Sequence, residues 1–164
     1  MKLAAHGLAV SLPPGWEGTI TAEQEALVAA QSLAFAASAA PPETMPVAQF
    51  ATFALPAVRD DFGGTAVERM GRDDVFISLV EYAAEEASSA LFSARGLPRR
   101  LDARAFSPHM LQRRIPGHTG LQRFFNHGGR AFCLYLVLGD ADDAHRLTRR
   151  AEQVLATIVV DDAP

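Results

Sequence analysis

Three pairs of adjacent arginines, Arg99-Arg100, Arg113-Arg114 and Arg149-Arg150, are the residues whose type and grouping point most directly to a chemistry. A guanidinium presents a planar fork of donors that matches a carboxylate in bidentate fashion, so paired arginines suit recognition of an acidic protein surface. Arg113 and Arg114 follow Met110 and Leu111 and precede Pro116-Gly117, which places them in a loop and makes them the pair least committed to the fold. Arg99, Arg100, Arg113 and Arg114 are therefore the candidate protein-binding residues. Phe124, Phe125 and Tyr135 near Arg123 and Arg130 offer a second chemistry, base stacking joined to phosphate pairing on a nucleic acid. The net charge of −4 and the fit of these aromatics to a core pattern speak against it. A small hydrophobic ligand between sheet and helix is the third possibility, and it requires a cavity.

The remaining reactive side chains form no catalytic or metal-binding pattern. His6, His109, His118, His127 and His145 show no i, i+4 pairing and no neighbouring cysteine, so a zinc site is not implied. Asp140-Ala-Asp-Asp143 lacks the glycine and the later glutamate of a calcium loop; it reads as an acidic helix start favoured by the helix dipole. Gly63-Gly64 and Gly128-Gly129 read as turns, outside any phosphate-binding pattern. No Gly-x-Ser-x-Gly elbow occurs, and Cys133 lies within Ala131-Phe-Cys-Leu-Tyr-Leu-Val-Leu138, where burial raises a thiol's pKa instead of activating it. Asp60-Asp61 and Asp73-Asp74 read as solvated loop acids, because adjacent strand positions face opposite sides. The expectation is a non-catalytic domain with no cofactor and no metal.

The charge is unevenly distributed. Up to Ala94 four Lys/Arg stand against twelve Asp/Glu, a net of −8, whereas 95–150 holds eleven arginines against four aspartates, a net of +7. Such a split marks either a basic surface for an acidic partner or two halves that fold together and mingle their charges. With 164 residues, 49% of them hydrophobic and 21% charged, the chain can bury one core, so a single domain over 1–164 is expected. A lone cysteine cannot close an intramolecular disulfide, no apolar signal-peptide region follows Lys2, and no uncharged stretch suits a membrane span. A soluble, cytoplasmic protein is expected, with homo-oligomerisation left open.

The elements that position these residues follow from periodicity. Leu8, Val10 and Leu12 alternate to one face of a strand over 8–12, which Pro13-Pro14-Gly15 ends, and Trp16 is placed to fold back over a core edge. Thr21-Ala-Glu-Gln24 has the pattern of a capping box, and Ala26, Leu27, Ala30, Leu33, Ala34 and Ala37 share a helical face. This Ala-rich insertion, at about 21–42, reads as a helix, with an extended or mobile segment as the alternative. A strand covered on both faces is expected over 47–55, a short helix from the capping box Thr65-Ala-Val-Glu68 to a left-handed Gly71, and a strand over 75–82. The segment 85–92 reads as a brief helix and 104–106 as extended. Asn126-His-Gly-Gly129 joins two apolar runs, 120–125 and 130–138, into a hairpin. Asp140 then caps a helix whose apolar face is Ala144, Leu147, Ala151, Val154 and Leu155, and a last strand over 156–160 returns to the sheet.

In this order of elements, with a Gly15-Trp16 turn after the first strand, a central antiparallel sheet and a closing hairpin, helix and strand, the chain resembles the PsbP-like fold. The runs Trp16-Glu-Gly, Asp61-Phe-Gly, Asp74-Val-Phe-Ile-Ser-Leu-Val-Glu-Tyr82, Gly96-Leu-Pro98 and Gly129-Arg-Ala-Phe-Cys-Leu-Tyr-Leu-Val-Leu-Gly139 are similar to a group of actinobacterial proteins of that fold. The resemblance implies an α+β domain, an antiparallel β-sheet flanked by helices in an α/β/α sandwich. It supplies no catalytic residues, and because some bacterial relatives of the fold act as adaptors or chaperones in secretion, it leans toward a protein-binding role.

Overall fold

The computed structural model describes residues 1–22 and 45–163; the body of the expected Ala-rich helix, 26–37, lies outside them. The described chain is α+β, with two antiparallel sheets. The smaller consists of β1 (Lys2–Ala5), β2 (Leu8–Ser11) and β8 (Val159–Val160), in the order β1-β2-β8. The larger takes β3 (Glu17–Ala22), β4 (Pro46–Ala51), β5 (Val75–Tyr82), β7 (Arg130–Leu138) and β6 (Thr119–His127), in the order β3-β4-β5-β7-β6. The α-helices among the described residues are α1 (Thr65–Glu68) and α2 (Ala144–Leu155).

Strand β7 pairs with both β5 and β6, and each of its residues is buried. Its nearly continuous apolar run fits a strand covered on both faces. The β6–β7 hairpin closes through Gly128 and Gly129, with φ values of 57° and 80°. A two-residue turn of that hand matches the right-handed twist of the flanking strands and favours glycine at both central positions.

Alternation along the strands sorts the core. Phe50, Ile77, Leu79, Phe132, Leu134 and Leu136 point to the face covered by α2 and the small sheet, where Leu147, Ala151, Val154 and Leu155 are 0% exposed. Leu8, Val10, Leu12 and Trp16 close the same cluster. On the opposite face Ala51, Phe76, Tyr135 and Val137 lie under Phe53, Leu55, Phe62, Val67, Leu111 and Ile115, which come from the chain before α1, from α1 and from the chain before β6. Two polar side chains on this face are tied to the covering loop: Gln49 Nε2 donates to the Asp60 carbonyl at 2.6 Å, and Ser78 Oγ to that of Asp61 at 2.5 Å.

Several expectations are corrected. The strand expected over 47–55 ends at Ala51, because Thr52 is pinned to Asp74 and Val75 and the chain then turns across the sheet. Thr21 and Ala22 belong to β3, paired with Val47 and Pro46, and so do not open a helix. Thr65 makes no side-chain cap; Gly64 holds the N-cap position, and α1 ends at Arg69 in a right-handed conformation, well before Gly71. The Gly71 N–H instead donates to Asp74 Oδ2 at 2.7 Å. Asp140 does not cap α2 either: Asp143 stands at that position, while the Asp140 carboxylate receives Arg72 and the Asp142 N–H. The segment around 104 is a 3-10 turn, Ala103–Ala105, not an extended run, because the Asp102 side chain accepts from the Arg104 N–H. Two further 3-10 turns, Ala84–Ser88 and Ala90–Phe92, fill the brief helix expected there. The closing strand is confined to Val159–Val160, since the last turn of α2 carries on through Ala156 and Thr157.

Candidate functional site

A cleft of about 490 Å³ opens on the face of the large sheet away from α2. Its walls are Val58 and Phe62 from the chain before α1, Val67 from α1 and Ile115 from the chain before β6. Tyr135 of β7, 1% exposed, lines it as well, and the Phe62 ring stands edge-on to the Tyr135 ring at 5.3 Å between centroids. Gly63 lets the covering loop lie this close: at φ 91° it faces Phe76, and a Cβ there would stand 2.6 Å from that ring. The Tyr135 hydroxyl accepts from the Gln112 N–H at 3.0 Å, and burial pushes its pKa up. Several polar groups of the lining are already engaged: Arg113 pairs with Glu68, Arg59 donates to the Pro56 carbonyl, and the Phe62 N–H donates to Asp60 Oδ1 at 3.0 Å.

The candidate arginines fall in separate places. Arg99 is applied to the end of α2, its guanidinium donating to the carbonyls of Leu155 and Ala156 at 2.8 Å each and of Ile158 at 2.9 Å. Such a cation satisfies helix carbonyls that have no partner within the helix. Arg100 is exposed and reaches Glu152 at 3.5 Å. Arg113 bridges to Glu68 at the rim of the cleft, and Arg114 is exposed with no ion pair among the described residues. Beside α2, Arg100, Arg104, His145 and Arg149 border a shallow depression of about 600 Å³, with Asp102, Glu152 and the buried Thr148 between them. Of the aromatics considered for base stacking, Phe125 and Tyr135 are 1% exposed, and Arg130 is enclosed by Glu81 and main-chain carbonyls.

The other reactive groups are set apart. Cys133 is buried between Val80 and Phe124, its pKa pushed up to about 11 by burial against a weak opposing contact from Gln122. His118 is buried with Nδ1 lacking a hydrogen-bond partner among the described residues, and burial lowers its pKa against the Met70 main chain and the charge of Asp74. Among the described residues no group of three or more His, Cys, Asp or Glu is arranged to hold a metal ion, and no helix is long and apolar enough to cross a membrane. The cleft was not found from the sequence, since its lining comes from three distant stretches. The available signal was Val58, Phe62 and Ile115, large apolar residues in segments with no strand or helix pattern.

In comparisons with known proteins, no family model, no curated protein and no solved structure matches the chain.

Proposed function

We propose that this protein is a non-catalytic binding domain whose site is the cleft formed by Val58, Phe62, Val67, Ile115 and Tyr135, and that its occupant is a small, mainly apolar molecule. The observation that carries this reading is the cleft itself: about 490 Å³ falls within the range of small-molecule sites, roughly 300 to 1,000 Å³, and Val58, Phe62, Val67, Ile115 and Tyr135 give it an apolar wall beside the charged Arg59, Asp60, Glu68 and Arg113. The environment-sensitive dye N-phenyl-1-naphthylamine tests it. Saturable binding of one dye per chain is expected, and Ile115→Trp, which fills the cleft, should weaken it by about tenfold or more, the equivalent of about 1.4 kcal/mol. Unsaturable binding, or binding indifferent to Ile115→Trp, would remove the cleft as the site.

A second reading, a protein-binding or adaptor domain, is favoured by the surface beside α2. Arg100, Arg104, His145 and Arg149 gather there around two acids, and exposed arginines of this kind suit an acidic partner. Retention of a partner from lysate that weakens with salt, and is lost in the Arg100→Glu, Arg149→Glu double variant, would support it. Retention abolished by nuclease would favour nucleic acid.

A PsbP-like sandwich is the family reading of this fold. It is supported by the antiparallel sheet carrying α2 on one face and α1 with its loops on the other. A reducing, cytoplasmic setting is proposed from the single, buried thiol of Cys133.

A further inference from the structure

Resting on the second reading above, that of an adaptor for an acidic partner, we propose that the depression beside α2 receives a phosphoryl group, carried on a phosphorylated side chain of the partner protein. His145, Thr148, Arg149 and Glu152 fall at i, i+3, i+4 and i+7 of α2 and so form one wall, and the chain from Arg100 to Arg104 forms the other. Each wall supplies an exposed arginine. The Arg149 guanidinium has no hydrogen bond or ion pair among the described residues, and the Arg100 side chain, 91% exposed, meets Glu152 through one nitrogen at 3.5 Å. An exposed pair of that geometry holds Arg100 only weakly, so most of its donors stay open.

The two acids of the depression are spent on its own walls. The Asp102 carboxylate accepts from the Arg104 N–H at 2.9 Å and from Arg104 Nε and Nη2 at 3.2 and 3.3 Å, and Glu152 Oε1 accepts from the Leu101 N–H at 2.8 Å. What remains open is donor capacity on both sides, in the forks of Arg100 and Arg149, and the lining's three arginines against two acids leave it net positive. One guanidinium fork fills the two oxygens of a planar carboxylate, whereas the terminal oxygens of a phosphoryl group are directed apart and can take forks from two walls at once. The depression is also shallow. It cannot bury most of a free small molecule as small-molecule sites do, but a phosphorylated side chain is held in place by the rest of the partner's interface.

Three capped heptapeptides of glycine and alanine, alike except for a central phosphoserine, glutamate or serine, separate the outcomes when titrated into the isotope-labelled protein and followed by NMR. The phosphoserine peptide is expected to saturate with shifts centred on Arg100, Leu101, His145 and Arg149, and to bind about tenfold more tightly than the glutamate peptide, the worth of one further charge-assisted hydrogen bond. The serine peptide should not bind. Arg149→Ala should weaken the phosphoserine peptide by about tenfold as well, and Arg149→Lys, which keeps the charge and loses the fork, should recover only part of that loss. Both substitutions are on the exposed face of α2, so the melting transition should stay within about 0.5 kcal/mol of wild type. Full recovery in Arg149→Lys, or equal binding of the phosphoserine and glutamate peptides at these residues, overturns the phosphoryl assignment and leaves the acidic-partner reading standing. Failure of both charged peptides to bind there overturns the assignment and that reading together.

Discussion

Arg130 and Glu81 form a bidentate ion pair between β7 and β5, Nε to Oε1 at 2.8 Å and Nη2 to Oε2 at 2.6 Å. Both side chains are nearly enclosed, 9% and 14% exposed. The same guanidinium donates to the carbonyls of His6, Gly7 and Asp161, and so ties the β1–β2 turn and the chain after β8 to the large sheet. Arg130→Leu would strand the Glu81 carboxylate, and removing one partner of a buried pair typically costs about 3 to 5 kcal/mol. Arg130→Leu with Glu81→Leu leaves no unpaired charge and should lose distinctly less. Urea titrations of the two variants compare the losses; equal losses would mean the bonds to the small sheet, and not the ion pair, dominate.

A pH dependence follows from His118. Its pKa is lowered in the fold, by burial first of all, so the unfolded chain binds the proton more readily. Stability from keeping this ring neutral is complete above the unfolded value of about 6.5 and is lost as pH falls from there through the lower folded pKa. The carboxyl groups of Asp102 and Asp140, held below their ordinary range by Arg104 and Arg72, contribute in a separate window, withdrawn only as pH falls below about 4. Denaturation midpoints between pH 7 and 5 should therefore decline, and His118→Gln should flatten the decline. An unchanged slope in that variant would assign the effect to another group.

Cys133 should behave as a packing residue. It is 0% exposed and its thiol is pushed up to about 11, so little thiolate exists at neutral pH. Labelling with 5,5′-dithiobis(2-nitrobenzoate) is expected to be slow in the native protein and immediate in guanidinium. Fast native labelling would show that the β6–β7 hairpin opens readily.

What the sequence disclosed was whatever it encoded locally. The runs that became β5 and β7, the Gly128-Gly129 turn and the apolar stripe of α2 each occupy a continuous stretch, and each stands where its pattern places it. Strands β1 and β3 were missed because Lys2–Ala5 and Glu17–Ala22 are short edge strands of mostly small or polar residues, held by pairing with β2 and β4. Part of the linear charge asymmetry is taken up within the fold. Pairs such as Arg72 with Asp140, Arg113 with Glu68 and Arg146 with Asp73 join the acidic half to the basic half, as packing of the two halves requires. The cleft was invisible for the same reason, since Phe62, Ile115 and Tyr135 converge only through tertiary structure.

Helix α2 gives the most direct test of what holds the large sheet's main core together. Leu155 is 0% exposed and packs in the same cluster as Leu147 and Val154, while its carbonyl accepts from Arg99. Leu155→Ala removes apolar atoms without touching that carbonyl, so its cost comes from lost burial and the cavity left behind. For a buried leucine this is about 2 to 5 kcal/mol, depending on how far neighbours relax into the space. Gln153→Ala, on the exposed side of the same helix, is the control, expected within about 0.5 kcal/mol of wild type. Parallel denaturant melts read both. A Leu155→Ala loss no larger than the control's would mean that α2 is peripheral and that the sheet holds its core without it.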